Sequence, residues 1–245
     1  KVEPACYWAA ELICAGHFIE LWDIIIEYVS IYIHTGCPKL PIYISIRMKS
    51  FKEILSNGYI DNEISLRNND QIRNLFAELM TTLCYARKKN MIAAVKIQST
   101  DFSMSVVSTK LKATNITYAH IAFKEGDPKE LFIAINEFSY HISKESLNGY
   151  VACYWLEWLI EFDTICRKKK QILVAERREW SDVEEKYQTN IIWIVWDVIK
   201  TRTEQHGCNI TVKIIEALMD MFRIRYTPST TKKRKYLIYN AILLL

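Results

Sequence analysis

The sequence predicts an all-α protein, and three observations support this fold class. Hydrophobic residues make up 50% of the 245 residues, which is enough to bury a substantial core. Glycine and proline number only 6 and 5, whereas sandwiches and barrels need many turn residues. Helical patterns cover most of the chain. We therefore predict two related multi-helix units, at 1–90 and 150–245, joined by a partly irregular segment at 91–149.

The first unit is expected to open with one long helix over 5–34, because Pro4 suits a first helical turn. The polar residues of this helix repeat at intervals of three and four and form one narrow stripe: Glu20, Asp23, Glu27, Ser30 and His34. Most of its circumference must therefore be covered by protein. TGCPKLP breaks the helix, and amphipathic helices are predicted over 42–56 and 70–90, the second capped by Asp70.

The segment 91–149 is the least regular part of the sequence. AAVKIQ has the composition of a short strand, and short helices or strands are expected in the Ser- and Thr-rich stretch that follows. The segment ends with a helix start signal, in which Asp127 caps the helix, Pro128 takes the first helical position and Glu130 the third.

The second unit is predicted, like the first, to consist of amphipathic and buried helices. Ser181 and Glu184 form a capping box, and the IIWIVW stretch that follows is apolar on every side and must be buried. Glu157 and Glu161 are expected on a solvated stripe. The predicted helices of this unit are 150–176, 182–205, 210–225 and 231–244.

A repeated order of short matches favours a tandem duplication. ACYW, a Trp-Asp-aliphatic stretch and a His-Gly-Cys group occur at 5–8, 21–26 and 34–37, and again at 152–155, 195–200 and 206–208. Large buried aromatics dominate packing energy, which is reason enough to retain them through a duplication. We therefore expect Trp8 and Trp155, and likewise Trp22 and Trp196, to occupy equivalent core positions.

The sequence predicts no catalytic residue, cofactor or metal site. It contains no GxxxxGK[ST] phosphate loop, no GxSxG elbow and no HExxH. His34 with Cys37, and His206 with Cys208, would supply four zinc ligands only if the two pairs met. We expect these residues at helix ends instead, and His141 in a core or an interface.

Positive charge is concentrated in short runs, although the net charge is only +4. These runs are either solvated helix ends, where cations complement the helix dipole, or contacts to phosphate or to acidic protein. The candidate contacts are Arg167, Lys168, Lys169, Lys170, Arg177, Arg178, Lys232, Lys233, Arg234 and Lys235.

The seven cysteines show no disulfide framework, so a reducing compartment is expected, with most thiols acting as small core residues. No apolar run approaches the roughly 18 residues that a membrane span needs. Because the chain starts at Lys1 and not at methionine, we expect a portion of a longer protein or a processed product.

Five stretches carry a family resemblance: GYIDNEISLRNNDQIRNLFAELM, DPKELFIAINEFSYHISKES, ACYWLEWLIEFDTICRKKK, NIIWIVWD and KRKYLIYNAI. Together they cover most of the chain from residue 58 onward. The chain resembles an uncharacterised protein family of nucleocytoplasmic large DNA viruses, the giant viruses. This resemblance implies a location in the virion or in the cytoplasmic viral factory of the host, and it carries over no functional residue.

The predicted function is that of a non-enzymatic helical scaffold or interaction protein of a large DNA virus, such as a minor structural component of the virion or capsid. The reason is an excess of apolar and aromatic residues beyond the needs of two small cores, and its partners would be other proteins of a larger assembly. The alternative is a nucleic-acid or transcription-associated module, because two helical repeats resemble tandem cyclin boxes. An enzyme is a third hypothesis, and it requires a deep pocket that holds carboxylates or His141.

Overall fold

A computed structural model describes residues 1–58 and 62–245, and it confirms the all-α fold class. AAVKIQ forms no strand, and no strand occurs elsewhere in the described residues. Residues 59–61, which belong to the first predicted unit, lie outside the described residues.

The α-helices of the described residues are, in chain order, α1 Val2–Ala15, α2 Phe18–Tyr28, α3 Leu40–Ser56, α4 Glu63–Arg67, α5 Asp70–Tyr85, α6 Met104–Lys110, α7 Phe132–His141, α8 Gly149–Lys168, α9 Ile192–His206, α10 Asn209–Arg223 and α11 Pro228–Ile242. Shorter turns are a π-helical turn at Val29–Ile33 and 3-10 turns at His34–Gly36, Ser99–Phe102, Tyr118–Ile121, Lys129–Leu131 and Glu185–Tyr187.

The chain forms two compact units, Lys1–Met91 and Ile92–Leu245. The segment that we expected to connect two units lies in the second of these, where α7 packs along α8. This segment is held in the second unit by α7, in which residues 134–139 are all buried.

In the first unit, the prediction of one long helix over 5–34 is wrong. Gly16 adopts a left-handed conformation with φ 81° and ends α1, because its N–H and that of His17 bond back to the carbonyls of Ile13 and Leu12. α1 adds Ala9 and Ile13 to the core, and most of the core lies beyond this break. There the ring of Phe76 lies 5.2 Å from that of Trp22 and 5.7 Å from that of Phe51.

The bounds of two other predicted helices in this unit differ from the structure by two and by five residues. α3 begins at Leu40, two residues before the prediction. α5 is capped by Asn69 and not by Asp70, since the Asn69 side chain accepts the N–H groups of Gln71 and Ile72. It ends at Tyr85, where the extended segment toward Met91 begins.

In the second unit, α9 contains all of the IIWIVW stretch except Ile191, which precedes its first turn, and the predicted burial of these residues is confirmed. α9 begins at Ile192, so the predicted capping box at Ser181 opens no helix. The backbone between α8 and α9 is held instead by the Gln188 side chain, which donates to the carbonyls of Trp180 and Val183, each at 2.9 Å. The side-chain amide of Gln188 thus satisfies carbonyls that backbone N–H groups would satisfy in a helix.

Burial is consistent with the expected equivalence for one pair of repeated tryptophans and contradicts it for the other. Trp22 and Trp196 are both buried, with 6% and 0% exposure. Trp155 is 1% exposed, whereas Trp8 is 66% exposed on α1 and occupies no core. The tandem duplication itself stays a prediction.

The structure gives the state of the cysteines and the apolar character of the helices. All seven thiols are free, and Cys153 and Cys166 are the buried ones. The expectation that most thiols fill cores is therefore wrong. Over 1–58 and 62–245, no helix combines the length and the apolar character that a membrane crossing requires.

Candidate functional site

Arg178, a predicted phosphate contact, lies at the centre of a buried ion cluster in the second unit. Its guanidinium donates to both carboxylate oxygens of Asp127 and to Oδ2 of Asp197, the latter at 2.9 Å. It also donates to the carbonyls of Ala122 and Glu176, at 3.1 and 2.7 Å. The side chain of Arg178 is 3% exposed and that of Asp127 is 0% exposed. Arg178 therefore cannot reach an external phosphate.

Asp127 does not cap a helix, in contrast to the prediction. Its carboxylate accepts the backbone N–H groups of Lys124 and Glu176, at 2.8 and 2.9 Å, in addition to the Arg178 guanidinium. Burial disfavours the Arg178 charge, but hydrogen bonds to Asp127 and Asp197 outweigh it and raise the pKa of Arg178. Burial raises the pKa of Asp197, and Arg178 offsets only part of that effect.

Arg234 is also used inside the protein. It is 8% exposed, and one of its terminal nitrogens donates to the carbonyls of Met221, Phe222 and Ile224. The last carbonyls of a helix have no hydrogen-bond donor within that helix. At the end of α10, the buried Arg234 guanidinium supplies that donor. The role is structural.

Lys235 neutralises a carboxylate that we predicted to be solvated. Glu157 is 7% exposed, accepts a hydrogen bond from the Tyr239 hydroxyl at 2.6 Å, and pairs with Lys235 Nζ at 2.6 Å. Burial, followed by the contact with Glu157, raises the pKa of Tyr239. Glu157 and Tyr239 thus join α8 to α11.

The remaining candidates fall into two groups. Three pair with carboxylates nearer the surface, with N···O distances of 2.7 Å for Arg167–Asp163, 3.1 Å for Arg177–Glu185 and 3.3 Å for Lys232–Glu161. Four are exposed and form no ion pair within the described part of the chain, namely Lys168, Lys169, Lys170 and Lys233.

A cavity in the second unit brings together three of the ten candidates, Arg167, Lys168 and Lys232. Its volume is about 430 Å³, and it lies among the C-terminal half of α8, the start of α9 and the start of α11. Asp163 and Arg167 share the cavity-facing side of α8 because residues four apart lie on one face of a helix. This cavity is the candidate functional site.

A second constellation has the residue types of a catalytic relay. His141 Nδ1 lies 2.9 Å from Ser146 Oγ, and His141 Nε2 lies 3.6 Å from Glu137 Oε2. Glu137, however, also accepts the backbone N–H groups of Lys112 and Ala113, at 2.9 and 3.0 Å. Burial opposes its charge, but these bonds and His141 together lower the pKa of Glu137. Glu137 fastens the 112–113 backbone to α7, and His141 is buried as predicted.

The two His–Cys pairs occupy chain turns. His34 is 2% exposed and opens the 3-10 turn that follows the π-helical turn, and burial together with the positive charge of Lys89 lowers its pKa to about 4. His206 is the last residue of α9, and exposed Cys208 precedes α10. No group of three or more His, Cys, Asp or Glu residues could hold a metal ion in the described ranges.

Sequence reasoning missed the Asp127–Arg178–Asp197 cluster, the Glu137 bonds and the cavity. The one usable signal was the acidic and basic residues that interrupt apolar stretches around them, as Asp197 does after IIWIVW. Comparison with family models, with curated proteins and with solved structures finds no match for this chain. A functional proposal therefore depends on the chain's own residues.

Proposed function

We propose that this chain is a non-enzymatic helical scaffold that joins other proteins of a larger assembly. The supporting observation is the surface of α1. This helix buries only Ala9 and Ile13, although most of its residues are apolar. Tyr7 and Trp8 are 57% and 66% exposed, and their rings lie 5.4 Å apart in an edge-to-face contact.

Two adjacent exposed aromatics have a clear energetic meaning. Tryptophan is highly buried on average, so a Trp side chain in water forgoes a large hydrophobic gain. At protein interfaces, Trp and Tyr are among the residues that contribute most of the binding energy. The α1 surface, defined as Tyr7 and Trp8, is therefore the proposed partner contact.

We place the assembly in a large DNA virus, as a minor structural component of its particle. This part of the proposal depends on the family resemblance of the five stretches described above. Location in the virion or in the viral factory of the host follows from the same resemblance. The α1 surface is compatible with it, since a structural component must bind its neighbours.

The nucleic-acid alternative has less support. Arg178 and Arg234 are buried and bound to internal acceptors, and four further candidates pair with carboxylates. Non-specific nucleic-acid binding depends on several cations that meet phosphates together. Binding by this chain would thus depend on the four exposed lysines and on Lys232 and Arg177, whose surface ion pairs are weak, and it should weaken steeply between about 50 and 200 mM salt.

Quantitative mass spectrometry of purified virus particles tests the proposal. Peptides of this chain should co-sediment with the particle, at a constant ratio to the major capsid protein across gradient fractions. A viral enzyme of the factory that is not packaged serves as the contamination control. Absence of these peptides, or a ratio that follows the contamination control, would overturn the proposal.

A further inference from the structure

The cavity of the second unit has the dimensions of a ligand site. Its volume of about 430 Å³ falls within the range of roughly 300–1,000 Å³ that small-molecule sites occupy. Most of its lining comes from α8, α9 and α11, which are regular helices, and the rest comes from Asn190 and Ile191 just before α9. Sites built on such elements hold their geometry better than sites on loops.

The floor of the cavity is apolar. It includes Leu159 and Ile160 from α8, and Ile192 and Val195 from α9. Each of these side chains is at most 7% exposed. A ligand with an aliphatic body would remove its own apolar surface from water against them, which is favourable in proportion to the area buried.

The rim is cationic. Arg167, Lys168 and Lys232 line the cavity, together with a single carboxylate, Asp163. Asp163 is bound by Arg167. Among the residues that the structure describes, Lys232 pairs with Glu161 alone, in a surface pair of 3.3 Å whose partners are 53% and 34% exposed. Such pairs contribute little, so Lys232 and exposed Lys168 are available to a ligand.

The first half of α11 is positively charged, whereas the first turns of helices more often carry acidic residues. It has no acidic residue in the first turn, and Lys232 and Lys233 follow soon after it. The positive end of a helix favours an anion nearby, and these lysines, one turn further along, add positive charge to the same region. Pro228 and Ser229 of the first turn line the cavity, so an anion bound there would lie at the positive end of the α11 dipole.

We propose that this cavity binds an amphipathic anion, with a phosphate or carboxylate head at Lys168, Lys232 and the start of α11. The aliphatic body of the ligand lies over Leu159 and Val195. This binding function goes beyond the proposed scaffold role, since it concerns the second unit and a small molecule. It requires none of the residues of the α1 surface.

Isothermal titration calorimetry of the full chain tests the proposal with four probes below their micellar concentrations. These are decyl phosphate, decanoate, decanol and inorganic phosphate. Decyl phosphate or decanoate should bind at least about tenfold more tightly than decanol or inorganic phosphate. Only the first two combine an aliphatic chain for the apolar floor with an anionic group for the cationic rim. The tighter of the two identifies the head group. Equal binding of decanol, equal binding of inorganic phosphate, or no binding by either amphipathic anion would overturn the proposal.

Two neighbouring lysines provide a matched pair of variants. Lys232→Gln should weaken binding about tenfold, as expected for the loss of a charge-assisted hydrogen bond. Lys233→Gln should change it less than about twofold, since Lys233 is exposed on the same helix and does not line the cavity. Both variants should melt within a few degrees of the native chain. Equal affinities for the two variants would place the ligand elsewhere and contradict the proposal.

Discussion

Substitution of Arg178 by methionine should destabilise the second unit severely. Methionine fills a similar volume, but it leaves the Asp127 carboxylate, whose side chain is 0% exposed, without its guanidinium. Breaking a buried ion pair by removal of one partner costs about 3–5 kcal/mol. Asp127 keeps two backbone N–H donors, from Lys124 and Glu176, so the expected loss stays within this range and does not approach the full cost of burying a bare charge.

Urea denaturation followed by circular dichroism measures this loss as a change in the free energy of unfolding. Arg177→Met is the matched control, because Arg177 is adjacent in sequence, 46% exposed, and pairs with a Glu185 side chain that is 82% exposed. That control should cost only about 1–2 kcal/mol, because it loses this exposed pair and the hydrogen bond that Arg177 Nε donates to Gln188 Oε1 at 2.7 Å. The double variant Arg178→Met with Asp127→Asn should recover part of the loss, because the uncompensated charge is gone. A cost for Arg178→Met no greater than that of Arg177→Met would refute the reasoning.

Three further predictions concern other parts of the chain. The folded-state pKa of Glu137 lies below its ordinary value of 4.5, so the ionised carboxylate stabilises the fold above pH 4.5, and this stabilisation is lost as pH falls through the folded pKa. In a plot of the urea midpoint of unfolding against pH, Glu137→Gln should therefore show a smaller decrease at acid pH than the native chain does. Gly36→Ala should cost the first unit about 1–3 kcal/mol in thermal unfolding, since a Cβ there would lie 2.5 Å from the carbonyl oxygen of Arg87; unchanged stability would refute this. Maleimide should label exposed Cys208 in the native chain, whereas Cys153, which is buried and whose pKa burial raises to about 12, should react only after unfolding, as mass spectrometry of digests can check.

Local pattern predicted the fold class and the position of most helices. The IIWIVW stretch is apolar on every side, so its burial follows from the hydrophobic effect without knowledge of its neighbours. The break at Gly16 was missed because one glycine does not outweigh apolar patterns on both sides of it. α9 starts ten residues late because the amide of Gln188 satisfies carbonyls that we assigned to a helical turn.

For the candidate site, the sequence predicted which residue types take part but not which residues contact one another. The ten basic residues were visible in the sequence, but their partners were not. Asp127 lies 51 residues before Arg178, and Glu157 lies 78 residues before Lys235, so each pairing depends on how helices pack. The sequence had favoured Asp127 as a cap because caps are local, and tertiary packing overrode that preference. The cavity likewise arises from three helices that no local pattern relates.

The most direct test of the scaffold role compares two variants of α1 in virus particles. Tyr7→Ala with Trp8→Ala removes the α1 surface, and Glu11→Ala changes an exposed residue of the same helix. Both should melt within a few degrees of the native chain, because exposed side chains contribute little to folding. Incorporation into purified particles, measured by quantitative mass spectrometry, should fall at least about tenfold for the aromatic variant only, as for loss of an interface hot spot. Equal incorporation of the two variants would contradict the account.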